Sequence, residues 1–158
     1  MELVLSLLAT FGLCIAAGLI PLINAELVLI GFILKAPVQG VAMTAGLVLA
    51  AAMGQMVAKV SMYYVGKGAL KLSKDKEGKI AKAIKKYQHK MEENASAPSM
   101  LLFVSSFVGL PPFYVISILA GTFKIPLGRF IVIGSVGRIM HFAVVAFFPE
   151  IWKHYSGT

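Results

Sequence analysis

Two long apolar stretches flank a charged strip in this 158-residue chain, and each stretch is itself divided. Residues 3–34 form an apolar run interrupted at Gly18, Pro21 and Asn24, and residues 38–66 form a second, close to 29 residues long. At about 1.5 Å of rise per residue, the second run is long enough to span a bilayer with tilt. Within it Gly46, Ala50, Gly54 and Ala58 recur every four residues, a spacing that lets another helix approach backbone to backbone. Residues 99–123 are apolar but cut by Gly109, Pro111 and Pro112. Residues 127–148 predict one more span, and Phe147, Phe148, Trp152 and Tyr155 form an aromatic belt at its end. Tyr63 and Tyr64 suit an interface in the same way.

The broken blocks carry the most information. Ser99 to Gly109 and Phe113 to Phe123 are about 11 residues each, and as helices each rises roughly 16 Å, about half the hydrocarbon thickness. Two half-length helices joined at Gly109-Leu-Pro-Pro112 predict a re-entrant hairpin that dips to mid-membrane and returns. The alternative is one kinked helix crossing fully; a glycine followed by two prolines favours the reversal. The first block, broken at Pro21, reads the same way, with room for a longer first arm.

The two halves also match. Pro21 stands ten residues before Gly31 and Pro111 ten before Gly121, and Lys35-Ala-Pro37 answers Lys124-Ile-Pro126. Each is followed by a long apolar span, so the sequence repeats at about 90 residues. A hairpin makes no net crossing and a span makes one, so the second half starts on the opposite side. Inverted repeats with broken helices point to a transporter whose site lies at the midplane. The expected fold is a single all-α integral membrane domain over residues 1–158. Residues 1–66 form its first repeat, 67–98 a basic segment and 99–149 its second repeat.

Composition agrees. Only 14% of the residues are charged, against about a quarter in a typical soluble domain, and 58% are hydrophobic. Of the 22 charged side chains, 13 fall between Lys67 and Pro98. That segment holds nine lysines against Asp75, Glu77, Glu92 and Glu93, and short basic loops stay cytoplasmic. Lys124 and Arg129 then lie inside, Lys35 and the C-terminal tail outside. Ile80, Ile84, Tyr87 and Met91 share one helical face, with Lys79, Lys82, Lys85, Lys86 and Lys90 around the rest. The strip is either a solvated linker helix or an amphipathic helix lying on anionic headgroups. Nothing in it reads bases, so nucleic acid is not an expected partner. A Gly-rich phosphate loop is missing, which argues against ATP as a driver. Cys14, the lone cysteine, forms no intramolecular disulfide and reads as a small packing residue. Met1-Glu2 supplies no basic n-region, so cleavage as a signal peptide is not expected. No cofactor or metal is expected, and a homo-oligomer through the small-residue face is open.

Few polar groups remain in the apolar blocks, and burial in lipid makes each expensive. Glu26 is the only acid between Glu2 and Asp75, just past the Pro21 break. In the first turn of a returning arm that starts near Asn24, its carboxylate is stabilised by the helix N-terminus while desolvation disfavours its charge. It is either a group that loads and releases a proton or a capping acid at an interface. Arg138 falls near the middle of the last span, with His141 one turn later on the same face. A guanidinium there needs a polar interior, a carboxylate such as Glu26, or an anion such as a lipid phosphate, onto which it forks. A static Glu26–Arg138 pair that fixes packing is the plainer reading. Gln55, Asn24, Ser105, Ser106 and Ser117 either line a cavity or bond neighbouring helices. If the tips at Pro21 and at Gly109, Pro111 and Pro112 meet at mid-membrane, the arms that follow aim free N–H groups inward, which suits phosphate.

The stretches Gly18-Leu-Ile-Pro-Leu-Ile-Asn-Ala-Glu26, Gly54-Gln-Met-Val-Ala-Lys-Val-Ser-Met-Tyr-Tyr-Val-Gly66 and Gly109-Leu-Pro-Pro-Phe-Tyr114 to Ala120-Gly121 resemble the DedA, or VTT-domain, family of membrane proteins, the SNARE-associated Golgi protein type. The resemblance runs over roughly residues 15–145 and is nearest to a small, divergent branch. It implies two facing re-entrant hairpins in inverted repeat and movement of lipids between leaflets, polyprenyl phosphates or phospholipids, in some members coupled to protons. Glu26 falls where the family has its glutamate after the first hairpin proline. Gln55 stands where the family often has an acid, and Ser105, Ser106 and Val108 where it has arginine. The expected function is therefore a flippase or scramblase in the cell membrane, without covalent chemistry. A proton-coupled exporter of small cationic compounds and a structural or assembly subunit are the alternatives.

Overall fold

The computed structural model describes residues 2–20, 23–35, 40–72 and 96–156. They form six helices: α1 Glu2–Leu19, α2 Ala25–Lys35, α3 Val41–Leu72, α4 Ser96–Val108, α5 Phe113–Thr122 and α6 Leu127–Ser156. No strand occurs among the described residues. Three stretches are long and apolar enough to cross a membrane: Glu2–Leu19, Val41–Gly68 and Leu127–Phe148. The expected all-α membrane protein is what the helices form. The first break is asymmetric, with an 18-residue α1 before an 11-residue α2, whereas α4 and α5 have 13 and 10 residues. Pro21 and the basic strip with Lys79, Lys82, Lys85, Lys86 and Lys90 lie outside the described residues, as do the side chains of Trp152 and Tyr155.

At Gly109-Leu-Pro-Pro112 the chain reverses. Gly109 ends α4 at φ +84°, a left-handed conformation open to a residue without Cβ, and its N–H still donates to the Ser105 carbonyl at 3.0 Å. The Ser105 hydroxyl donates across the turn to the Pro111 carbonyl at 2.6 Å, and Pro112 starts α5. The arms pack on each other, so the start of α4 at Ala97, Pro98 and Leu101 lies beside the end of α5 at Leu119 and Phe123. Helix α1 packs on α2 in the same manner. After α5, the N–H of Ile125 donates to the Ala120 carbonyl at 2.9 Å and that of Lys124 to the Gly121 carbonyl at 3.1 Å. With Lys124 at φ +56° and Pro126 following, this is a Schellman close that stops α5 and releases the chain into α6.

The chain divides into two compact units, residues 1–58 with 138–158 and residues 59–137. In the first unit the core takes Cys14 and Ala17 from α1, Leu29 from α2, Leu47 and Ala51 from α3, and Phe142 from α6. The small residues bring α1 against α3: a Cβ on Gly54 would run into the Phe11 carbonyl, and one on Gly18 into the Ala58 side chain. Buried Cys14 sits in that crossing, so the small-residue stripe serves packing within the chain. In the second unit, a Cβ on Gly66 would meet the Ile118 carbonyl and one on Gly121 the Tyr63 carbonyl. Tyr63, expected at an interface, is instead buried there. Its hydroxyl donates to the Ile125 carbonyl at 2.7 Å and its ring lies 5.3 Å from that of Phe130. Tyr64 beside it is half exposed.

Outside these cores the helices carry their apolar side chains outward, among them Leu8, Leu27, Leu34, Val41, Met100 and Val132. Each fully exposed leucine or valine forgoes about 1.5–3 kcal/mol of burial in water. A surface of this kind is stable only against hydrocarbon.

Candidate functional site

In the first unit, polar groups converge where α2 begins. Asn24 caps that helix: its side-chain oxygen accepts from the N–H of Glu26 at 2.8 Å and of Leu27 at 3.2 Å, and its carbonyl accepts from Val28 at 3.2 Å. The cap places Glu26 in the first turn, where the expectation put it, with its carboxylate at the positive end of the helix. Asn24 thus builds the site through the backbone, its side-chain oxygen already engaged.

The carboxylate finds His141. Glu26 Oε1 lies 2.9 Å from His141 Nε2, a hydrogen bond that becomes an ion pair when the imidazole is protonated. The histidine side chain is 14% exposed and the glutamate side chain 44%, so one member is enclosed by protein and the other is open. Arg138 stands one turn before His141 on α6. Its Nε is buried and its guanidinium lies 5.9 Å over the ring of buried Phe142. The sequence pointed to Arg138 as the internal partner of Glu26; His141, one turn further on, touches the same carboxylate. The reason lies in helix geometry. Residues three apart on α6 share a face, so Arg138 and His141 lie on the same side of that helix, the side from which His141 reaches Glu26.

Other candidates take different roles. Gln55 is 5% exposed on α3, where its backbone lines the crossing with Gly18. Ser105, Ser106 and Ser117 are fully buried, and their hydroxyls donate to the Pro111, Phe103 and Phe113 carbonyls. Ser105 thus bonds across the hairpin turn, whereas Ser106 and Ser117 bond back within their own helices. Helix α5 opens at Pro112 without a side-chain cap, unlike α2. Among the described residues no group of three or more His, Cys, Asp or Glu could hold a metal ion.

Sequence reasoning misses Lys59. It is 5% exposed in the second unit, one turn before Tyr63 on the same face of α3. A lysine inside a 28-residue apolar span is a signal of the same kind as Arg138, since an ammonium at that depth costs about 2.5–3.5 kcal/mol unless protein surrounds it.

Compared with known protein families, residues 20–150 match the model of the VTT domain. No curated protein and no solved structure matches the chain.

Proposed function

Since the chain belongs to the VTT-domain family of membrane-associated proteins, we propose that it moves phosphate-bearing lipids, phospholipid or polyprenyl phosphate, between the leaflets of the cell membrane without covalent chemistry. The observation that carries this reading is the Glu26–His141–Arg138 cluster on helices that otherwise turn many apolar side chains outward. Arg138 receives the headgroup phosphate through a forked guanidinium contact, and Glu26 with His141 loads and releases the proton that accompanies it.

Re-entrance and the inverted repeat belong to this proposal. Two contacts support them. Gly18, at the tip end of α1, meets Ala58 well inside the α3 span, and Ser106, near the tip of the second hairpin, meets Gly137 at the middle of the Leu127–Phe148 span. Hairpins whose tips stop partway along a span enter and leave on one side. The nine lysines of the basic segment then place it in the cytoplasm, against anionic headgroups. A single cysteine placed at Lys86 is expected to label from the cytoplasmic side alone, and one at Ser156 from outside alone. Labelling of both from one side would end the inverted repeat.

Leaflet exchange in proteoliposomes tests the function itself. The purified chain is expected to equilibrate labelled anionic phospholipid at least tenfold faster than protein-free vesicles. An exporter of small cations would instead dissipate a pH gradient on addition of a quaternary ammonium compound, with no lipid exchange. A structural subunit would do neither. Arg138 favours the lipid, because a cavity built for cations gains nothing from a fixed guanidinium.

A further inference from the structure

Helices α1 and α2 do not close on each other along their whole length. Between them runs an open groove of about 440 Å³, walled by Leu13 of α1 and by Leu27, Val28, Gly31, Phe32 and Lys35 of α2. Its floor is Gly31, where a Cβ would meet nothing within 4 Å. The walls are apolar, and the one charge among them is Lys35 at the outer end of α2; Ser6, also at the rim, already donates to the Glu2 carbonyl. From Lys35 to Leu27 the groove follows about 12 Å of helix and ends one residue from Glu26.

The corresponding groove of the second hairpin, about 320 Å³, is lined by Leu101, Ile116, Leu119, Phe123 and their neighbours, and no charged residue is among them. The two clefts therefore differ in one respect: only the first pairs a hydrocarbon-sized slot with a cation at its mouth. That pairing fits one kind of occupant, an acyl chain attached to an anionic headgroup. The surrounding face is apolar and exposed, with Leu5, Leu8 and Leu34 turned outward, so the molecule within reach is a lipid of the bilayer itself.

We propose that the groove between α1 and α2 is a binding site for one anionic phospholipid, with its phosphate on Lys35 and an acyl chain laid along α2 over Gly31 toward the hairpin tip. A lipid so held has its chain running to within a residue of Glu26, the place from which the headgroup is handed on in the proposed exchange. The inference rests on that reading for its purpose but not for its test, because binding is measured apart from transport.

The experiment uses the full chain in nanodiscs containing either phosphatidylglycerol or phosphatidylcholine with a photoreactive group in the acyl chain. Cross-linked peptides are mapped by mass spectrometry. Phosphatidylglycerol is expected to label Leu13 and residues 27–32 in preference to the outward-facing Leu5 and Leu34. Lys35→Gln should lower that labelling about fivefold and leave phosphatidylcholine labelling unchanged, the effect of one lysine near an anionic headgroup. Gly31→Leu starts from a Cβ with nothing within 4 Å, puts its side chain into the groove and should abolish groove labelling while the melting temperature holds or rises. Labelling spread evenly over both faces of α1 and α2, or labelling that survives Gly31→Leu, would overturn the site and identify ordinary bilayer solvation. Leaflet exchange measured on the same samples separates the two ideas. Groove labelling without exchange in the unaltered chain sinks the transport reading alone, and exchange without groove labelling sinks the groove alone.

Discussion

Arg138→Gln is expected to slow exchange of anionic lipids about 10–100-fold, the loss of a charge-assisted contact to phosphate, while exchange of zwitterionic lipids falls less. Glu26→Gln should behave differently. The amide keeps the size of the carboxylate and a hydrogen bond to His141, so lipid still binds, but a group that cannot release a proton flattens any dependence of exchange on pH. His141→Gln should reproduce that flattening, because the imidazole is the direct partner of the carboxylate at 2.9 Å. A cluster that only fixes packing gives another pattern. Removing Glu26 alone then lowers the melting temperature by leaving the buried arginine without a counter-charge, and Glu26→Gln with Arg138→Gln recovers most of it. The measurements are exchange rate and melting temperature on the unaltered chain, the three single variants and that double variant. Exchange that stays intact in every variant, with stability moving alone, would remove the transport role from the site.

The largest stability effects should come from glycines, and their sign should differ by position. Gly121→Ala puts a methyl group against the Tyr63 carbonyl and the Lys67 N–H, and Gly54→Ala puts one against the Phe11 carbonyl. Both neighbours are backbone, which cannot rotate away, so the helices must separate. Overpacking of this kind costs about 1–3 kcal/mol and sometimes more. Gly12→Ala, in the interior of α1 with nothing within 4 Å of its Cβ, should stabilise by up to about 1 kcal/mol through helix propensity alone. Thermal unfolding in one detergent compares all three. A destabilising Gly12→Ala, or a neutral Gly121→Ala, would mean that the helix crossings are not where the structure puts them.

Much of this was legible along the chain. Period and length located the spans, because a helix in hydrocarbon must satisfy its backbone internally and must be about 20 residues long to cross. Gly109, Pro111 and Pro112 marked a reversal because neither residue type continues a helix there. Glu26 and Arg138 stood out because charge is costly in an apolar run, and that cost is local to the residue. The partner of each charge was a different matter. That Glu26 meets His141 depends on how α6 is rotated about its axis, which is set by Phe142 and Ala146 entering the core of the first unit. The fate of the polar side chains was decided in the same way. Asn24 became a cap, Ser105 a bond across the hairpin turn, and Tyr63 left the interface for the core, since a hydroxyl or amide takes whichever acceptor or donor the packing brings within 3 Å. Lys59 went unnoticed because its burial, 5% exposed, is a property of the folded chain and not of its place in the span. The chain by itself determined which residues must avoid water and where helices must stop, since hydration and backbone geometry act residue by residue. Which polar groups share a site was left to the tertiary structure, because only the rotation and close approach of helices, set by small residues such as Gly54 and Gly121, bring those side chains within bonding distance.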